Sequence, residues 1–336
     1  MFDKLKVLLN DIHKISKKEK KSRAFIISNT ADKKTKKYLT PLRKSANCVY
    51  GGAVVYDDLT TKKICQLLKN KIDYLFVDTE KKASRKNGAI NIERTVRENI
   101  NLEKIFYFKA NDLTVDAASN FMELLFHKDI RNVSNKKILI IGAGNIGFKL
   151  SLKLIERGVK VFLNGKRKID TTNLISAINK IKPDATMNKV KHLPKIENNI
   201  DQFDVIINVT NGTNKILKNK KILLKKNVIF LEIGKNLFSN EVLNHYLDIG
   251  ISIFRLDMSN SFNELIEKKI NTKNEWKKIK FSRNKKNGLN LISLGLLGKN
   301  GDIVVDDSIN PKIIYGKINK KRNLDNISKK DKKKII

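Results

Sequence analysis

The stretch Lys137-Ile138-Leu139-Ile140-Ile141-Gly142-Ala143-Gly144-Asn145-Ile146-Gly147 decides how this chain is read. A short apolar run leads into three glycines at the G-x-G-x-x-G spacing, and a helical pattern follows over 148–157. The glycine spacing alone says little, but strand, glycine turn and helix in that order form a dinucleotide fingerprint. Gly142 permits the tight turn, Gly144 lets the backbone approach a pyrophosphate, and Gly147 lets helix and strand pack closely. The pyrophosphate is expected on the free N–H groups at the positive end of the helix. Ala143, Asn145 and Ile146 join the glycines as cofactor-binding candidates.

Upstream of the turn, apolar strand-like runs at 23–28, 53–56, 74–78 and 104–108 alternate with a helical segment at 62–68. Leu5, Leu8, Leu9, Ile12 and Ile15 mark an amphipathic helix ahead of them. Alternation of this kind predicts an α/β domain with a largely parallel sheet. Gly51-Gly52 and the run 81–88 read as loops at strand ends, and 112–127 reads as a helix connecting two domains. Downstream, strands at 159–163, 204–209, 228–232 and 251–256, with helices at 174–181 and 262–270, come close to a complete doubly wound Rossmann sheet. The pattern from 288 to 318 is β-like, with Gly298-Lys299-Asn300-Gly301 as its hairpin turn, and the end is a Lys-rich solvated tail. The fold class is therefore α/β in two domains. An N-terminal α/β substrate domain spans 1–127 and a Rossmann domain 128–283, with a β-rich appendix at 284–318 and a disordered tail at 319–336.

A chain of 336 residues exceeds what one hydrophobic core usually supports, so two domains are the default. No apolar run approaches the roughly 20 residues needed to cross a bilayer, and 1–21 lacks the h-region of a signal peptide. Cys48 and Cys65, the only cysteines, give neither a disulfide framework nor a zinc pattern. His13, His127, His192 and His245 are scattered, so no metal site is expected. A cytoplasmic protein acting on a small molecule, without a membrane partner and with room for a homodimer, is the expectation. The formal net charge of +36 invites a nucleic-acid role. However, lysine far outnumbers arginine, and Asn and Ile are also in excess, as codon bias in an AT-rich genome would produce. Net charge reports solubility and non-specific binding before specific partners, so nucleic acid is not the expected partner.

The residues after the second Rossmann strand bear on the cofactor. NAD enzymes usually place Asp or Glu about 20 residues beyond the glycines to bind the ribose 2′-hydroxyl. Here that position holds Asn164, followed by Gly165, Lys166, Arg167 and Lys168. A carboxylate would repel a 2′-phosphate, whereas Asn with a basic cluster would accept one. NADP is the expected cofactor, with NAD as the alternative. Val209, Thr210 and Asn211 lie just past a core strand, where small polar side chains touch ribose and nicotinamide, although Asn and Thr are also ordinary turn formers.

Three of these elements resemble the shikimate dehydrogenase family, in the same order and at similar distances. Leu113-Thr114-Val115-Asp116-Ala117-Ala118 is similar to the family's Asn-Thr-Asp segment. Asn164-Gly165-Lys166-Arg167 is similar to its Asn-Arg-Thr motif, and Asn208-Val209-Thr210 to its Asn-Ala-Thr segment. The likeness covers 112–270. The family's Ser-x-Ser pair, its catalytic-lysine motif and its late Tyr-x-Pro and Gln motifs are not found, which argues against shikimate as substrate. The resemblance implies an NADP-dependent oxidoreductase passing hydride to or from a small polar hydroxy or keto metabolite in the inter-domain cleft. Asp116, expected to face that cleft, is the first candidate for proton exchange, with a helix N-cap as its structural alternative. Lys109, at a strand end, could play the family lysine's part. Two alternatives remain: a non-catalytic NAD(P)-binding regulatory protein, and a glutamyl-tRNA reductase-like enzyme. The latter rests on Ser45-Ala46-Asn47-Cys48-Val49-Tyr50, which is faintly similar to that family's cysteine motif.

Overall fold

The computed structural model describes residues 1–30, 37–80, 84–85, 88–129, 132–196, 200–210, 224–225, 227–234, 238–278 and 282–335. It describes 84–85, 88–89 and 275–278 by backbone alone. The chain divides into two compact units, Met1–Glu264 and Leu265–Ile336.

The first unit begins with helix α1 (Phe2–Glu19), whose Leu5, Leu9 and Ile12 recur at helical spacing and are all buried. It packs over strands β1 (Ser22–Asn29), β2 (Tyr38–Lys44) and β3 (Cys48–Val55). Helix α2 (Asp58–Leu68) starts at an N-cap where the Asp57 carboxylate accepts the Thr60 N–H at 2.7 Å. Strand β4 (Tyr74–Asp78), the two-residue ladder of β5 (Ser84–Arg85) with β6 (Gly88–Ala89), helix α3 (Ile92–Arg97) and strand β7 (Ile105–Phe108) complete this part. The sheet runs β2-β3-β1-β4-β7, parallel except for β2, which pairs antiparallel on the edge. The sequence pattern does not reveal β2. Pro41 and a register shift between Thr40 and Arg43 break its alternation, and only an edge strand tolerates both.

Gly51 and Gly52 are not in a loop, as expected, but in the middle of β3. A Cβ on Gly51 would lie 2.9 Å from Leu8 of α1, and one on Gly52 2.9 Å from the Ile26 carbonyl oxygen. Close packing requires these glycines, not chain reversal.

Helix α4 (Ala110–Leu125) leads to the second sheet. In order come β8 (Lys137–Ile141), α5 (Asn145–Ile155), β9 (Lys160–Asn164), α6 (Lys168–Ile181), β10 (Lys191–His192), β11 (Val205–Asn208), β12 (Ile229–Glu232), α7 (Asn240–Asp248) and β13 (Ser252–Arg255). All six strands are parallel, in the order β10-β9-β8-β11-β12-β13. One core, with Ile138, Ile140, Val161 and Leu163, lies on one face; another, with Leu139, Ile141, Ile206 and Phe230, lies on the other. Strands buried on both faces read as continuous apolar runs, which makes them legible in the sequence. The strand order reverses between β8 and β11, the crevice where open α/β sheets bind ligands.

Helix α8 (Ser259–Lys278) crosses the division between the units. The second unit holds β14 (Arg283–Lys286), β15 (Leu289–Ser293), β16 (Ile303–Val305), β17 (Ile314–Ile318), β18 (Leu324–Asp325) and α9 (Lys329–Ile335), with its strands paired in that order. The expected hairpin at 298–301 is absent, because β15 and β16 run parallel. The hairpin is Asn287-Gly288, at φ 48° and 80°, joining β14 to β15. Asn-Gly is the strongest short hairpin signal, since both positions need φ above zero. Nor is 319–336 a disordered tail among its described residues. It forms β18 and α9, and Ile335 is fully buried against Leu291, Ile303 and Val305. Hydrogen bonds from Lys286 Nζ to the Ile335 carbonyl (2.5 Å) and from Asn287 Nδ2 to the Lys334 carbonyl (2.8 Å) join this apolar contact in seating α9 on the sheet. No helix among the described residues is long and apolar enough to cross a membrane.

Candidate functional site

The glycine turn lies at the sheet's switch point, and each glycine does a different job there. Gly142 has φ 123°, a region closed to most side chains, and its N–H donates to the Asn164 carbonyl at 2.8 Å. A Cβ on Gly147 would lie 1.9 Å from the Gly142 carbonyl oxygen, so helix α5 can approach the turn only without one. Gly144 is the N-cap of α5 and makes no side-chain cap; a Cβ there would meet nothing within 4 Å. The first turn of a helix carries N–H groups without intrahelical partners. Here they face open space.

That space is a cavity of 660 Å³. Gly142, Ala143, Gly144, Asn145, Ile146 and Gly147 form one wall. Asn164, Gly165, Lys166, Arg167, Asp170 and Thr171 form a second, and Val209, Thr210 and Asn111 close it. Every cofactor candidate from the sequence lines it except Asn211, which lies outside the described residues. The chemistry of these residues is more constrained than their positions. The Asn164 amide donates to the carbonyls of Leu193 (2.7 Å) and Pro194 (3.4 Å), so its N–H groups brace the neighbouring loop. Arg167 occupies the N-cap position of α6 without a side-chain cap and pairs with Asp170, while Lys166 is exposed. The Thr210 hydroxyl donates to Asn208 Oδ1 at 2.7 Å. Asn208 is itself fully buried, and its Nδ2 has no partner among the described residues.

Asp116 corrects the sequence expectation. It lies midway along α4, so it is not an N-cap, and it forms an ion pair with Lys153 of α5 outside the glycine cavity. Asp112–Lys149 repeats the pairing along the same two helices, and Glu123 pairs with Arg157 just beyond the end of α5. Carboxylates at helical spacing on α4 thus meet cations on α5 and fasten the seam. The residue of α4 that does reach the cavity is Asn111, which no sequence motif singles out. Its backbone N–H donates to Glu80 Oε2 at 3.1 Å, and the buried Asp78 carboxylate accepts the N–H groups of Glu80 (3.1 Å) and Ala110 (3.2 Å). Carboxylates at the end of β4 therefore hold the start of α4. The available signal was polar residues clustered just after strands, the edge where α/β sheets bind. Lys109 is exposed at the N-cap of α4 and does not line the cavity.

Cys48 is fully buried at the start of β3, its N–H donating to Ser45 Oγ at 3.1 Å. Burial pushes the Cys65 thiol up to about 12, so it stays protonated. Among the described residues no group of three His, Cys, Asp or Glu could hold a metal ion. Burial also pushes the Tyr50 hydroxyl up to about 12, with smaller opposing contributions from Arg43 and Asp257. That hydroxyl donates to Asn263 Oδ1 at 2.8 Å, and Phe262 packs edge-on against Phe108, so the start of α8 is tied back to the first sheet.

A dinucleotide fits this cradle. The space over Gly144 holds no protein atom that a pyrophosphate would have to displace, and uncapped N–H groups face it.

Residues 124–234 match the sequence model of the family described as Shikimate / quinate 5-dehydrogenase, a segment that holds the glycine turn and β8 to β12. The chain is 26% identical over 144 residues to a glutamyl-tRNA reductase of Thermosipho melanesiensis, covering 42% of this chain and 36% of that one. It is 25% identical over 162 residues to a glutamyl-tRNA reductase of Methanococcus maripaludis, covering 48% and 40%. The matched stretches thus span well under half the length of these curated relatives. Among solved structures, a shikimate dehydrogenase described in complex with NADP+ aligns at 18% identity and a TM-score of 0.38, over 70% of this chain and 85% of that one.

Proposed function

We propose that this chain is an NADP-dependent oxidoreductase with a shikimate dehydrogenase-like nucleotide site. Its substrate would be a small polar hydroxy or keto metabolite, bound where Asn111 meets the glycine turn. The observation that carries this reading is the open, uncapped N-terminus of α5 above Gly144, set at the switch point of a fully parallel sheet. The family match over 124–234 supports it.

When bound, the nicotinamide supplies or accepts a hydride; the chain's own residues bind and orient. In this proposal the N–H groups of Asn145, Ile146 and Gly147 hold the pyrophosphate, and Lys166 and Arg167 hold the 2′-phosphate. Val209 and Thr210 flank the ribose and nicotinamide. Asn111, held by Glu80, orients the substrate's oxygen. Lys109 lies two residues before Asn111 but outside the cavity, so in this proposal it would exchange the proton only by swinging its side chain in from the N-cap of α4; Asp116, paired with Lys153, has no part in it.

Fluorescence titration with NADPH and NADH tests the proposal. NADPH is expected to bind at micromolar concentration or tighter, and Gly144→Asp to abolish binding without unfolding the chain, since nothing obstructs that position. If neither nucleotide binds, the oxidoreductase reading falls. A second reading is favoured by one observation: among the described residues, the only ionisable side chains lining the cavity are Lys166, Arg167 and Asp170, all after β9. Binding of NADPH with no hydride transfer across a panel of hydroxy and keto acids would make the chain a nucleotide-binding regulatory protein.

A further inference from the structure

The second sheet carries another cavity, at the ends of the strands opposite the glycine turn. It also measures 660 Å³, and its charged lining is Lys137, Lys160, Lys189 and Lys191. Phe162 and Met187 supply its apolar surface, and Met187 is 91% exposed. Lys137 and Lys160 open β8 and β9, whereas the glycine turn follows the last residue of β8. Strand β8 spans about 16 Å at its normal rise, which separates the two cavities.

Strand register explains the cluster. Lys137 pairs with Lys160, and Lys191 with Phe162, so β8, β9 and β10 present three lysines and one aromatic ring on a single sheet face. Helix α6 covers the other face, where Ile175 and Ile178 pack with Val161 and Leu163. Like charges directly opposite each other on neighbouring strands are destabilising. Among the described residues no carboxylate lines the cavity to relieve them, and none of these four lysines forms an ion pair. Asp204 is close by but committed. It accepts the Lys137 backbone N–H at 2.7 Å and pairs with Lys225. The ammonium of Lys191 lies 6.0 Å from the centroid of the Phe162 ring, so charge and aromatic surface meet in one place.

We propose that this cavity binds a nucleotide unit, with its phosphate on Lys137, Lys160 and Lys191 and its base against Phe162 and Met187. Basic side chains beside an aromatic platform are what single-stranded nucleic acids and free nucleotides both require. An even scatter of lysines from codon bias accounts for the net charge but not for four of them around one hollow with no acid among the described residues that line it. The site is independent of the cofactor proposal, because it lies at the other edge of the sheet.

The test uses the full chain carrying Gly144→Asp, so that the glycine turn contributes nothing. The probes are a fluorescein-labelled decamer of oligoadenylate, AMP and inorganic phosphate, at about 0.15 M salt, where exposed charges are largely screened. Lys160→Gln with Lys191→Gln is expected to weaken decamer binding by about tenfold and to lower the salt slope by about 1.4, the share of two phosphate contacts on a single strand. Lys329→Gln with Lys330→Gln, which removes equal charge elsewhere, is expected to change binding by less than twofold. Competition by AMP supports a free nucleotide as the source; binding of the decamer without it supports a nucleic-acid strand. The proposal is overturned if no probe binds, if the control pair weakens binding as much, or if inorganic phosphate displaces the decamer at the same concentration as AMP does.

Discussion

The two parallel sheets of the first unit are fastened alike at one end and built differently at the other. Asp73, one residue before β4, accepts the Arg23 backbone N–H at 2.8 Å and the Arg23 guanidinium at 2.6 and 3.1 Å. It returns its own N–H to the Arg23 carbonyl at 2.8 Å. Asp204, one residue before β11, accepts the Lys137 N–H, pairs with Lys225, and returns its N–H to the Lys137 carbonyl at 2.9 Å. At the far end the likeness stops. The first sheet ends in a buried carboxylate, Asp78, that accepts the backbone N–H groups of Glu80 and Ala110 beneath the start of α4. The second ends in a turn of glycines that leaves backbone N–H groups facing space. The capacity to hold a pyrophosphate thus lies in the turn beyond a strand end, which the second sheet has built from glycines.

The glycines offer the largest effects with which to break this comparison. Gly147→Ala would drive a Cβ onto the Gly142 carbonyl. It is expected to cost about 3 kcal/mol, as overpacking against fixed backbone does, and to abolish NADPH binding. Gly52→Ala meets the Ile26 carbonyl at 2.9 Å and is expected to cost about 1–3 kcal/mol. It should leave NADPH affinity unchanged. Urea unfolding monitored alongside NADPH titration separates the two outcomes; loss of binding in folded Gly52→Ala would show that the sheets do not act separately.

Acid should act on both sheets through the shared latch. Burial raises the carboxyl of Asp73, but the hydrogen bonds and charge of Arg23 outweigh it and hold it below its ordinary value. Asp204 is likewise held below by Lys225 and the Lys137 N–H against the effect of burial. A folded value below the unfolded one, about 3.9, contributes stability that is present above the unfolded value and lost as pH falls through the folded one. The melting temperature is therefore expected to fall below about pH 4, and Asp73→Asn or Asp204→Asn to flatten that fall. An unchanged pH slope in both variants would remove the latch from the account.

The smallest effect is expected at Asp116. Its pair with Lys153 is partly exposed, at 53% and 33% of the two side chains, and such pairs contribute about 0–1 kcal/mol. Asp116→Asn should leave NADPH affinity and turnover within about twofold of the parent, a free-energy change inside that range. A large drop in turnover at preserved NADPH affinity would return Asp116 to the chemistry.

Legibility follows periodicity. Strands β8, β11 and β12 are short apolar runs buried on both faces, and the glycine spacing marks a turn whatever surrounds it. Edge strand β2, with Pro41, carries no such pattern, and β10 has only two residues. At the site, the glycine wall, Asn164, Lys166 and Arg167 are legible because they lie after strands at fixed intervals. Asn111 is not, because its role depends on Glu80, 31 positions earlier.

The sequence by itself determined the parallel second sheet, the turn at its switch point and the dinucleotide-sized gap there, since spacing and residue type dictate local backbone. Only the tertiary structure decided which residues face that gap. Asp116 and Asn111 lie on one helix and differ by little in sequence, but the helix's rotation against α5 turns one toward Lys153 and the other toward the cavity. Likewise, register between distant strands gathers Lys137, Lys160 and Lys191 around Phe162. Such groupings depend on side-chain directions set by packing, and no local pattern encodes them.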